Sequence, residues 1–322
     1  MNGIIDRPMT FSLPRLCTSW SAADMRNAFI DELVSLAREH ENIALITGDL
    51  GFSVIEPFAD TFPDRFINAG VAEQNMTGLA AGMASEGYHV FTYSIANFPT
   101  FRCAEQIRND VDFHNLPVTV VSVGGGVAYG ALGYSHHAVQ DYALMRIFPN
   151  MLIAAPGDPL EVRACLRYLI SNPQPSYLRL GKAGEPCFHS AVPEIKPGEW
   201  LKVFQSECNV PDQKTLLTTG ATLDIAMNWI NSSAYQDYSV HSLPLWGLNQ
   251  KSRQIQYAKK FSKIETIEDH LVDGGFGSWV LESAIGHADL ISRIKIHALD
   301  ARICGTVGSS KMLHEFGGLA LP

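Results

Sequence analysis

No apolar run approaches the roughly 20 residues a membrane span needs. The amino terminus, MNGIIDRPMTFSLPRLC, holds no unbroken apolar stretch of signal-peptide length. These absences predict a cytoplasmic protein without a membrane partner. Cysteine is present but lacks a pattern. The six residues (Cys17, Cys103, Cys165, Cys187, Cys208, Cys304) are scattered and form no CxxC pair, which argues against a zinc ribbon or disulfide framework and suits reduced thiols. A basic excess is missing too: 24 Lys and Arg face 33 Asp and Glu, a net charge of -9, so no nucleic-acid partner is expected. Repeats, low-complexity tracts, a nucleophile elbow, a Ser-His-Asp set and paired catalytic carboxylates are all absent.

The 322 residues, 46% hydrophobic and 18% charged, suit a soluble chain of about two domains. Residues 1–22 lack a clear period and read as an arm laid on another surface. From Ala23 to Glu39, apolar Met25, Phe29, Leu33, Leu36 and Ala37 recur at helical spacing. IALITGD and RFINAG read as short buried strands ending in loops, and HVFTYSI, PVTVVSV, NMLIAA and PSYLRLG as further strands. VAEQNMTGLAAGMASEG reads as a small-residue helix buried on most sides, with more helix at Thr100–Asn115, His137–Phe148 and Pro159–Ser171. This alternation predicts an α/β fold of two parallel-sheet, three-layer domains. We place the first at 23–185, a proline-rich linker at 186–199 and a smaller domain at 200–322.

In such sheets ligands gather beyond the carboxyl ends of strands. Asp49 closes the first strand and Glu73 opens the small-residue helix after the second. An acid in a first helical turn also suits simple dipole compensation, but a buried carboxyl must find a partner or stay protonated. Phe98 and Phe101, one helical turn apart, are either core aromatics or a stacking platform for a flat heterocycle. SVGGGVAYGALGYSHH is a strand followed by a glycine-rich loop. It has no Gly-Lys-Ser/Thr, and its later glycine falls at 130 where GxGxxG requires 129. His136 and His137 are too few for a metal site, so one is read as a polar active-site group. Arg179 ends a strand, as an anion binder or an ion-pair partner. DGGFG before a helix fits an anion or a tight turn equally.

The ordered motifs carry more. NAGVAEQNMTGLAAGMASEG, NFPTFRCAEQIRND, GYSHHAVQDYALMRIFPNMLIAAPGDPLEV and SYLRLGK resemble the pyrimidine-binding domain of the transketolase family. IEDHLVDGGFGSWVLESA and GTVGSSKMLHEFG resemble its carboxy-terminal domain, so the likeness spans about Asp24 to Gly318. It implies a thiamine-diphosphate enzyme transferring a two-carbon ketol unit from a ketose or ketose phosphate to an aldehyde. Glu73 then matches the glutamate that bonds the cofactor's pyrimidine N1′, and Phe98 and Phe101 the aromatic wall beside that ring. His136 matches the substrate-facing histidine, Arg26, Ser53 and Arg179 the substrate-phosphate binders, and Asp49 the Gly-x-Asp turn near the cofactor and the contact between subunits. Catalysis falls to Glu73 and His136, and no metal ligand is expected in this chain. The family's Gly-Asp-Gly motif is missing. The resemblance therefore implies a partner amino-terminal subunit that holds the diphosphate with magnesium or calcium, with two copies of each chain in the assembly.

Two departures stand out. Ala131 and Leu132 replace an acidic pair, and glycine at about Gly124 replaces a histidine, so the pocket is expected to be roomier, less polar and adapted to an unusual sugar. The alternatives are a 2-oxo-acid-decarboxylating relative (a deoxyxylulose-phosphate-synthase-like enzyme or a 2-oxo acid dehydrogenase β subunit) and a non-catalytic assembly subunit.

Overall fold

The computed structural model describes residues 24–206 and 213–321. The expected arm at 1–22, Cys17 and Cys208 lie outside these residues. The strands in chain order are β1 (Ile43–Thr47), β2 (Phe66–Asn68), β3 (His89–Ile95), β4 (Val118–Val123), β5 (Leu152–Ala154), β6 (Ser176–Leu180), β7 (Leu201–Phe204), β8 (Lys214–Thr218), β9 (Tyr238–Ser242), β10 (Leu245–Trp246), β11 (Lys263–Leu271) and β12 (Ile294–Leu299). One sheet has the order β10-β5-β6-β4-β3-β1-β2 and the other β12-β11-β8-β9-β7. Pairing is parallel except at one edge of each sheet, where β10 meets β5 and β7 meets β9 antiparallel. The fold is therefore α/β with parallel-dominated sheets rather than wholly parallel ones.

The central strands are buried along their whole length because helices cover both faces. Side chains alternate accordingly. Ala44 and Ile46 of β1 pack with Met76 and Ala80 of the helix Glu73–Ser85. Ile43 and Leu45 pack on the other face with Phe29 and Leu33 of the helix Met25–Glu39. Asp24 caps that helix by accepting from the Asn27 amide. Glu32, buried on the same helix, receives Arg163 at 2.9 Å and Arg167 at 2.6 Å from the helix Pro159–Ser171.

Two helical expectations are shortened. Thr100–Asn115 becomes Phe98–Phe101, Ala104–Gln106 and a π-helical segment Ile107–Asp112. Here the Thr100 hydroxyl bonds back to the Ala96 and Asn97 carbonyls, a contact that bends helices. His137–Phe148 reduces to Asp141–Met145, since Ala138 is held in an antiparallel bridge with Gly126. The small-residue helix is buried on one side only: Gln74, Asn75, Gly78, Leu79 and Gly82 are exposed.

The proline-rich segment 186–199 is pinned near its start. Asp158 accepts from the Phe188 and His189 amides, and Glu161 meets His189 at 3.0 Å and the Ser242 hydroxyl of β9 at 2.8 Å. Burial pushes the Glu161 carboxyl up; burial opposes protonation of His189, yet its bond to Glu161 leaves that ring raised. Among the described residues, Asp158, Glu161 and His189 are the one trio with metal-ligand spacing, but capping bonds already engage their oxygens.

β10 crosses back from the second domain's sequence into the first sheet, and Trp246 packs there against Tyr142, Phe276 and Trp279. The DGGFG helix start is occupied from within the chain. Glu268 accepts from the Phe276 and Gly277 amides, and burial pushes its carboxyl up to about 8. Arg146 grips Glu282 with two bonds, at 2.8 and 2.7 Å, tying the domains together. Hydrogen bonds from Arg146 chiefly, and from Lys251, lower Glu282 to about 2. A depressed carboxylate stabilises the native state above its unfolded value and stops doing so as pH falls through the folded one. Thermal melting should therefore show Glu282→Gln converging on the parent protein as pH drops from about 4.5 towards 2. A constant gap across that range would remove the ion pair from the account. Among the described residues, no helix is long and apolar enough to cross a membrane.

Candidate active site

The carboxyl ends of β1, β3, β4 and β6 bring the candidate residues to one side of the first sheet. Glu73 begins its helix with only 4% exposure. A side chain on Gly48 would touch its Cγ at 3.8 Å, so the Gly48-Asp49 turn is the wall behind the carboxylate. Both carboxylate oxygens accept from Nη1 of Arg102, at 2.9 and 3.0 Å. The Arg102 guanidinium also lies over the Phe98 ring, 4.5 Å from its centroid. Phe98 in turn meets His136 edge-on at 5.2 Å, and His136 Nδ1 lies 3.0 Å from the Ser135 hydroxyl. Asn97 donates to the Ser135 carbonyl, which locks the histidine loop to the start of the phenylalanine helix.

His136, at 6.4 Å between ring centroids, neighbours Tyr129, and Lys182 lies 4.8 Å above the Tyr129 ring. A continuous row of Glu73, Arg102, Phe98, His136, Tyr129 and Lys182 therefore runs across the sheet end. Arg102, Tyr129 and Lys182 were missed in the sequence. Lys182 follows Arg179 by three residues in the same strand-end motif, but a lysine after glycine reads as a solvated charge. Beyond this row a cavity of about 200 Å³ opens between the domains, lined by Lys182, Ala128, Glu185, Asp269, Ser310 and His314 among others.

The remaining candidates fall elsewhere. His137 is buried, with its Nε2 3.3 Å from the Gly130 carbonyl. Phe101 is 46% exposed and shares no ring contact with Phe98. Asp49 is exposed with φ +58° and accepts from Asn68 at 3.0 Å. Ser53 sits on the next turn with φ +66°, its amide bonded to Glu56. Arg26 lies 3.6 Å from Asp24, and its Nε is buried without a partner.

Arg179 lines the same cavity and is engaged within the chain. It is 3% exposed, and its donors are already committed. Nε bonds Asp141 at 2.7 Å, Nη1 bonds Asp269 of β11 at 2.6 Å, and Nη2 bonds the Ala138 carbonyl at 2.9 Å. A guanidinium shared between two buried carboxylates joins the two sheets at the wall of that cavity. The expected roominess at Gly124 is corrected. A Cβ there, at φ +76°, would collide with the edge of the Tyr129 ring, so that ring fills the space.

The chain is similar to known proteins in sequence and in fold. Residues 21–184 match the transketolase pyrimidine-binding domain. A subunit of the apulose-4-phosphate transketolase of Phocaeicola vulgatus is 31% identical over 270 residues, covering 80% of this chain and 82% of that one. A putative transketolase C-terminal section of Methanocaldococcus jannaschii is 32% identical over 298 residues, covering 92% of each. A solved structure described as a split gene transketolase, inactive beta4 tetramer, superposes with a TM-score of 0.77 at 27% identity, over 92% of this chain and 94% of that one.

Proposed function

Because the chain belongs to the transketolase family through its pyrimidine-binding domain, we propose that it is the carboxy-terminal subunit of a split, thiamine-diphosphate-dependent transketolase. It transfers a two-carbon ketol unit from a ketose phosphate, or a related ketose, to an aldehyde. The observation that carries this reading is the Glu73 carboxylate, buried and facing Phe98 across a planar cation. Arg102 tests the fit. Its guanidinium is flat, donates to Glu73 and covers Phe98, so a flat, donor-bearing ring suits the same pair of residues.

Thiamine diphosphate, when bound, supplies a nucleophilic carbon and an electron sink. This chain's own part is narrower. Glu73 holds a proton at the pyrimidine edge, in surroundings dry enough to strengthen that bond. Phe98 stacks on the ring, His136 faces the reacting carbonyl, and Lys182 and Arg26 offer positive charge to a phosphate tail.

The diphosphate and its magnesium or calcium fall to a partner amino-terminal subunit, with two copies of each chain. Three observations support a partner: the absence of Gly-Asp-Gly, the likeness to chains named as one subunit or one section of a transketolase, and exposed apolar side chains. These include Leu79 at 37% exposure, Phe101 at 46% and Val71 at 73%. Exposed Ala131 and Leu132 bring no acid to the substrate loop, and that favours a specialised sugar or the decarboxylating alternative. An assay of the reconstituted pair separates these readings. Ketol transfer from ketose phosphates without CO2 release is expected, with apulose 4-phosphate in the panel because the P. vulgatus relative is named for it. Release of CO2 from a 2-oxo acid would replace ketol transfer with the alternative.

A further inference from the structure

Gly124 and Tyr129 form a matched pair that neither residue's motif explains alone. β4 ends at Val123, and the chain turns at Gly124 with φ +76°. The ring of Tyr129 packs into the space where a side chain on residue 124 would begin. Any larger residue at 124 would expel the ring, so glycine there keeps it in place. The turn that carries the tyrosine is braced from the second domain. Gly308 donates to the Gly130 carbonyl at 3.3 Å, and a Cβ on Gly130 would meet Leu313 and the Gly308 carbonyl. His137 adds a contact of 3.3 Å to the same carbonyl. Tyr129 is half-buried beside this braced turn, unlike the exposed Ala131 and Leu132 that follow it.

Its surroundings are those of a recognition group. The ring lies 6.4 Å from that of His136 and under the Lys182 ammonium at 4.8 Å. Burial pushes its phenol up, against a smaller opposing influence of the Arg26 charge, so the hydroxyl stays protonated and able to donate. The loop beyond it offers no carboxylate, and the tyrosine ring lies between His136 and Lys182. A rigid aromatic with one hydroxyl suits a sugar, with ring against carbon and hydroxyl against hydroxyl.

We propose that Tyr129, seated by Gly124, is a substrate-binding residue that selects the donor by hydrogen-bonding one of its hydroxyl groups. The identity of the donor as a ketose rests on the ketol-transfer reading; the role of the phenol does not.

The test is Tyr129→Phe in the reconstituted pair, which keeps the ring and removes the hydroxyl. Its melting temperature should match the parent's. KM for the preferred donor should rise about 10-fold, the scale of one lost hydrogen bond, with kcat within about 2-fold. The preference among ketose phosphates should narrow. Unchanged KM and unchanged preference, in a parent pair that transfers ketol units, would overturn the role of Tyr129 alone. If the parent pair decarboxylates a 2-oxo acid instead, ketol transfer falls while the same KM comparison on that donor still decides Tyr129. A pair that turns over neither class overturns both.

Discussion

Glu73→Gln in the reconstituted pair should lower turnover by about 100-fold or more while leaving the fold intact. The magnitude follows from removing a positioned acid-base group, which is worth about 10²–10⁴ in rate. The fold prediction follows from the surroundings. Glutamine is nearly the same shape, so packing beside the Gly48 turn survives. The bond that weakens is the one to Arg102, whose side chain is 51% exposed, so it contributes less than about 1 kcal/mol. The variant therefore separates chemistry from stability. An unchanged rate would favour the assembly-subunit reading, because a scaffold has no use for this carboxylate.

Arg179→Met should do the reverse, destabilising the chain strongly without regard to substrate. Asp141 is fully buried and Asp269 nearly so, and both would lose their cation. Stranding a buried partner costs about 3–5 kcal/mol. The loss falls on the contact between β6 and β11, so docking of the two domains should weaken first. Urea unfolding would read this as a lower midpoint or as a split transition. A stable Arg179→Met chain whose only defect is a raised KM would return Arg179 to the substrate phosphate.

These two cases mark what could be read from the sequence. The run of small residues after a short strand singles out Glu73, and its cofactor role comes from the resemblance alone. The sequence leaves Arg179 open between anion binder and ion-pair partner, because a strand-end arginine looks the same whether it faces solvent or two carboxylates. Asp141 and Asp269 lie 38 and 90 residues away, and only the fold brings them to it. The alternating strands were visible as apolar runs, whereas β10 has two residues and no detectable period. Phe98 and Phe101 share a spacing but not an environment. Phe98 turns to Arg102 and His136, while Phe101 lies on the uncovered surface. Tyr129 left one faint signal: the glycine where a histidine was expected, five residues before a tyrosine.

The most direct measurement is calorimetric titration of thiamine diphosphate with magnesium, first into this chain alone and then into its mixture with the amino-terminal partner that carries Gly-Asp-Gly. The split-enzyme account predicts weak or no binding alone and tight binding in the mixture. Tight binding to the lone chain would contradict it, since the diphosphate site would then lie within these residues.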